Sequence, residues 1–239
     1  MFRKLFLLAA FLLTAGVAAQ AQNIQFHYDF GSHLYEEQRV PGAERPNLTT
    51  TVEMFRPDKW GNTFFFVDMN YREKGINLAY WEISREFKLS NTPFLAHVEY
   101  NGGLTNGFSF NHNYLAGITY AWNRPDFQAG FTVTPMFKYL AKQKSPASWQ
   151  LTGTWYYHFA GGLMTTNGFA GVWGDRNYVT GKKNIIFLTE PQLWVNLNKV
   201  KGVDPNFNLS VGTEIEISHN FALPEKTVVN PTLAAKWTF

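Results

Sequence analysis

The stretch Asn23-Ile24-Gln25-Phe26-His27-Tyr28-Asp29-Phe30 alternates without a break. Ile24, Phe26, Tyr28 and Phe30 fall on one side of an extended chain; Asn23, Gln25, His27 and Asp29 fall on the other. A strict period of two argues against a helix and predicts a β-strand with one apolar face. The polar face carries amides, a histidine and a carboxylate but no lysine, whereas a solvated outer surface is usually richer in charge. Segments of the same kind recur down the chain, separated by Gly, Pro, Asn and Asp clusters.

They cover residues 48–55, 63–70, 79–89, 94–100, 112–122, 127–140, 150–159, 166–173, 185–197, 207–217 and 232–239, the segment at 166–173 being short. With the first, that makes twelve, an even number as single-chain bacterial barrels require. Connections after odd-numbered segments are mostly the longer ones: 31–47, 102–111, 141–147, 174–183 and 218–230. Those after even-numbered segments, such as 123–126 and 160–162, are mostly short; 198–205 is the long exception. The expected fold is therefore all-β: one transmembrane antiparallel up-and-down β-barrel of about twelve strands, with short periplasmic turns and long outer loops. A soluble sandwich or lipocalin-like barrel shows the same alternation with its faces reversed. The final segment weighs against that: Leu233, Ala235, Trp237 and Phe239 alternate with Thr232, Ala234, Lys236 and Thr238. An unprotected aromatic strand invites aggregation unless barrel closure and lipid use it. The strand ending at Phe239 is expected to be read by barrel-assembly machinery, and the apolar face to meet outer-membrane lipid and lipopolysaccharide.

Composition agrees. Aromatic residues make up 17% of the 239 residues and charged ones 16%, against about a quarter charged in ordinary soluble domains. Mean hydropathy is −0.23, and after residue 13 no run approaches the ~20 apolar residues of a membrane helix. Residues 1–21 read as a signal peptide: Arg3 and Lys4, an apolar run from Leu5 to Leu13, then Ala19-Gln20-Ala21 as a cleavage site. Removing it lowers the net charge from +3 to +1, since no acidic residue precedes Gln22; the chain lacks the basic excess of a nucleic-acid binder. Residues 22–239 are the expected single barrel domain, exported to the Gram-negative outer membrane. There is no cysteine, hence no disulfide and no thiolate metal site.

If the apolar face meets lipid, the polar face lines a lumen. Gln25, His27, Asp29, Glu53, Phe55, Phe64, Phe66, Asp68, Tyr80, Glu82, Glu86, His97, Glu99, Tyr156, His158, Glu190, Gln192, Trp194, Glu214 and Glu216 point inward by alternation, with Lys88, Lys138 and Lys236 as the inward cations. A mostly acidic lumen disfavours anions. Aromatic rings beside carboxylates suit neutral ligands with a flat face and hydroxyl groups, which nucleosides satisfy and sugars satisfy less specifically.

Gly61-Asn62-Thr63-Phe64-Phe65-Phe66-Val67-Asp68, followed by Trp81-Glu82-Ile83-Ser84-Arg85 and Lys88-Leu89-Ser90, resembles the nucleoside-specific channel-forming (Tsx-like) outer-membrane proteins. The resemblance covers residues 61–90, extends loosely to 24–31, and implies passive, selective diffusion of nucleosides. By position in that motif Phe64, Phe66, Asp68 and Glu82 are expected to line the pore; the alternation adds Tyr80, Glu99 and Tyr156. No cofactor or metal is expected, because the six histidines are dispersed and no His-x-His or His-Glu-x-x-His spacing occurs. Two other classes compete. An adhesion or structural barrel would act through the loops at 31–47 and 218–230. An outer-membrane lipid hydrolase would need a serine beside His97 or His158, with Ser84, Ser109 and Ser210 as the candidates.

Overall fold

The computed structural model describes residues 22–39, 44–176, 181, 183–221 and 223–239; the expected leader at 1–21 lies outside them. The strands are β1 (Gln22–Asp29), β2 (Leu48–Pro57), β3 (Gly61–Arg72), β4 (Gly75–Lys88), β5 (Phe94–Thr105), β6 (Asn113–Asn123), β7 (Ala129–Leu140), β8 (Ala147–Phe159), β9 (Met164–Arg176), β10 (Lys183–Thr189), β11 (Gln192–Asn196), β12 (Leu209–His219) and β13 (Thr227–Thr238). Neighbours pair antiparallel in chain order, and β13 returns to β1 with Ile24 opposite Trp237. The sheet closes on itself, which removes the open edge.

β10 and β11 are halves of one strand. Both lie between β9 and β12 in one register, with Thr189 opposite Ala170 and Gln192 opposite Asn167. Pro191 stands between them and has no N–H to give the ladder. Its carbonyl still accepts from Ile215 N at 3.0 Å, and Glu190 N donates to Phe169 O at 3.1 Å, so the chain runs straight through. The barrel thus has twelve staves, as the alternation predicted.

The direction of the faces, which sequence alone leaves open, is settled along β7. Phe131, Val133, Phe137 and Tyr139 are exposed while Thr134, Met136, Lys138 and Leu140 are buried; Phe137 is 55% exposed and Lys138 4%. Apolar residues out and polar residues in is a surface built for lipid. Aromatic side chains gather toward both ends of the wall. Phe94, Tyr120, Phe131 and Trp122 form a chain of ring contacts at 5.6–6.0 Å near the short-turn end. His112, Tyr100, Tyr114 and Tyr139 do so at 5.5–6.5 Å near the other. Such girdles mark the two membrane–water interfaces. Leu233 lies midway along β13 and is 64% exposed. Leu233→Arg is expected to cost about 2–4 kcal/mol of unfolding free energy in lipid vesicles. No change would mean that this face does not meet hydrocarbon.

Several boundaries move. β9 is 13 residues long, not short, and the ladders of β5, β9, β12 and β13 extend into segments expected to be loops at 102–111, 174–183 and 218–230. Phe127 and Phe207, expected to open strands, precede β7 and β12 instead; Phe127 takes φ 53° in the turn. The turn at 160–162 has three positive φ values, at Ala160, Gly161 and Gly162; the two glycines supply theirs without a Cβ clash. At the rim beside β2, Arg85 pairs with Asp58 at 2.7 Å and holds its carboxyl down at about 2, with the N–H groups of Trp60 and Gly61 assisting.

Candidate functional site

β3, β4 and β5 form one wall of the lumen. Their inward faces bring Phe66 opposite Glu82, Asp68 opposite Tyr80, and Asn101 opposite Glu82. The Phe66 ring lies 6.1 Å from both Phe64 and Tyr80, giving a short aromatic ladder. Tyr80 Oη donates to Glu82 Oε1 at 2.6 Å, and Thr51 Oγ1 to Asp68 Oδ1 at 2.5 Å. Lower on β5, His97 sits between two carboxylates, Nδ1 3.2 Å from Glu86 Oε1 and Nε2 3.1 Å from Glu99 Oε2. Phe64, Phe66, Asp68, Tyr80, Glu82 and Glu99 are therefore together. Tyr156 is not: it belongs to β8, where its hydroxyl donates to Asn123 Oδ1 at 2.9 Å near a short turn. Alternation gives the face a residue occupies, but neither its height nor its place around the barrel.

Across from this wall, inward side chains interlock around Trp194. Trp194 on β11 is 0% exposed; Lys236 Nζ stands 4.1 Å over its ring, and His27 meets it edge-on at 6.1 Å. Its Nε1 donates to Gln192 Oε1, Gln192 Nε2 donates to Glu214 Oε2 at 2.5 Å, and Asn167 Nδ2 donates to Gln192 at 2.9 Å. Side chains that interlock in this way narrow the bore of a twelve-strand barrel. Lys138 and Lys236 point inward as expected. Lys88 is exposed at the rim, its Nζ 3.4 Å from Asp58 O, and contributes nothing to the lumen.

A cation at the lumen mouth was missed by the alternation because it comes from a loop. The segment after β1 forms a short helix α1 (Gly31–Leu34) and a 3₁₀ turn (Glu36–Arg39), and Arg45, further along the same connection, reaches Asp29 and Glu216. Arg45 Nε and Nη2 donate to Asp29 Oδ2 at 2.9 and 2.8 Å, and Nη2 to Glu216 Oε2 at 2.7 Å. Burial works against the guanidinium's charge; Glu216 and Asp29 outweigh it and raise its pKa above the ordinary value. Gln38 Nε2 donates to Asn230 Oδ1 at 3.0 Å, and Asn230 Nδ2 to Glu216 Oε1 at 3.2 Å, which ties the loop to β12 and β13.

Both ring nitrogens of His97 face carboxylates, His158 Nδ1 faces Thr165 Oγ1 at 2.9 Å, and Ser210 Oγ donates to Asn196 Oδ1 at 2.8 Å. Among the described residues no serine is bonded to a histidine in the manner of a nucleophile and its base. The described His, Asp and Glu residues also form no group able to hold a metal ion.

A closed antiparallel barrel, apolar outside and polar within, with aromatic girdles at both ends, is a transmembrane β-barrel of the outer-membrane type. A family model described as "Domain of unknown function (DUF5020)" matches residues 21–239, and the chain belongs to that family. No curated protein matches the chain in sequence. Among solved structures it is similar to a KdgM porin, with TM-score 0.51 and 10% identity over 91% of this chain and 98% of that one. It is also similar to a NanC porin, with TM-score 0.54 and 11% identity over 92% of this chain and 100% of that one. At such identities the likeness is one of fold.

Proposed function

We propose that this chain is an outer-membrane channel through which nucleosides or similar small polar solutes diffuse passively. The observation that carries the reading is the β3–β5 wall, where Phe64, Phe66 and Tyr80 present flat apolar surface beside Asp68, Glu82 and Glu99. A base can stack on such a ring, and ribose hydroxyls can donate to the carboxylates. The Tsx-like resemblance of residues 61–90 falls on two strands of this wall, and the two porins of similar fold support a channel. On this reading residues 1–21 are a cleaved leader. The girdled outer face sits in outer-membrane lipid and lipopolysaccharide, and the strand ending at Phe239 engages assembly machinery. A loop-based adhesion role gains no comparable support, since Gln38 and Arg45 of the connection after β1 are bonded to strand residues Asn230, Asp29 and Glu216.

The test is single-channel conductance in planar bilayers with added nucleosides, using glucose and amino acids as controls. Nucleosides are expected to block a small conductance that the controls leave untouched. Phe66→Ala is expected to weaken that block about tenfold, from the roughly 1–3 kcal/mol that a stacked base contributes. A barrel that inserts without carrying current, or a current indifferent to nucleosides, would overturn the reading.

A further inference from the structure

The β4–β5 portion of the wall holds more acceptors than donors. Glu99 is fixed by His97 through Oε2, and its Oε1 is buried with no hydrogen-bond partner among the described residues. Two residues further along the same face, Asn101 is 2% exposed, and its Oδ1 is likewise buried and unpartnered. Directly opposite Asn101 stands Glu82, which receives the Tyr80 hydroxyl on Oε1 and forms no ion pair among the described residues. Buried oxygens left without donors are costly, more so when charged, so a surface with several of them is built to receive donors. The nearest inward lysine in the sequence of staves, Lys138 on β7, acts on Glu82 and Glu99 only through space: its Nζ donates to Gln150 Oε1 at 2.9 Å and stands 5.0 Å over the Trp173 ring.

We infer that Glu82, Glu99 and Asn101 form a subsite for the protonated amine of a solute whose flat body lies on Phe66 and Tyr80. An ammonium offers three donors and no acceptor, matching three acceptor groups. It brings a positive charge to Glu82, which has no ion pair among the described residues, and the aromatic faces alongside favour a cation. A bare metal ion is a poorer match, because the described His, Asp and Glu residues do not converge as a metal-ligand group. The inference rests on the lumen being open to solutes and narrows the class: amine-bearing aromatic solutes bind ahead of neutral isosteres.

Equilibrium binding to the purified full barrel in detergent, read by calorimetry, tests this without requiring conductance. The probes are tyramine and its alcohol isostere tyrosol, which differ only at the amine. Tyramine is expected to bind at least tenfold tighter. Glu82→Gln and Glu99→Gln are each expected to bring the pair within about threefold while the barrel keeps its heat-modifiable migration on gels. Equal binding of the two probes by the unaltered protein overturns the inference, and that comparison needs no variant to fold. A tyramine preference that survives both substitutions overturns it as well. Loss of conductance with the amine preference intact would count against the channel alone.

Discussion

Replacing Arg45 by alanine is expected to lower the unfolding free energy of the barrel by about 3–5 kcal/mol, the usual cost of stranding buried charge. The guanidinium is the only cation that Asp29 and Glu216 reach among the described residues, and both carboxylates are buried. Their remaining bonds come from neutral groups. Gly31 N donates to Asp29 at 2.6 Å, and Ser218 and Asn230 donate to Glu216 at 3.1 and 3.2 Å. These donors solvate the two charges but do not balance them. Arg45→Lys is expected to recover part of the loss, because a single ammonium cannot reproduce the forked contact with two carboxylates. Removing the positive charge from an acidic mouth also raises the ratio of cation to anion permeability. Urea titration in lipid vesicles reads the first effect, and reversal potential in a salt gradient reads the second. A stability change under 1 kcal/mol for Arg45→Ala would mean that Asp29 and Glu216 do not depend on the loop.

The contrast between Arg45 and the strands shows what a sequence of this kind exposes. Alternation along β1, β4, β7 and β8 named the inward faces, because a barrel wall imposes a period of two wherever lipid meets one side and a polar interior the other. It also found Glu190, Gln192 and Trp194 on the tenth stave despite Pro191, since a proline on the lipid side interrupts the ladder without shifting register. Arg45 follows no period, as its place is set by contacts distant in sequence. Asn101 was lost for another reason. Gly102-Gly103 reads as the start of a turn, yet β5 continues through both to Thr105. A Cβ at Gly102 would fall 2.6 Å from Tyr100 Oη, and one at Gly103 would fall 2.8 Å from Ala79 O. The glycines are there because neighbouring groups pack closely on the strand, and a sequence records that need and a turn with the same letter.

His97→Ala is expected to be the most damaging change within the membrane span, again by about 3–5 kcal/mol, with the loss divided unequally between its two carboxylates. Glu86 keeps Asn62 Nδ2 at 2.8 Å and Thr119 Oγ1 at 2.5 Å. Glu99 keeps no hydrogen bond among the described residues, because its Oε2 is bonded only to His97 and its Oε1 has no partner. The second substitution therefore decides the mechanism. If the stranded Glu99 charge is the cause, His97→Ala combined with Glu99→Gln is expected to be more stable than His97→Ala alone, with a coupling of about 1–3 kcal/mol in the double-mutant cycle. Glu86→Gln in the same background is expected to recover less. A cavity left by the imidazole predicts a different pattern, in which neither carboxylate substitution restores stability. The cycle also bears on function: Glu99 is aimed by His97, so His97→Ala is expected to weaken tyramine binding even in lipids that keep the barrel fully folded. Full tyramine affinity in the folded variant would show that Glu99 needs no imidazole to hold it in place.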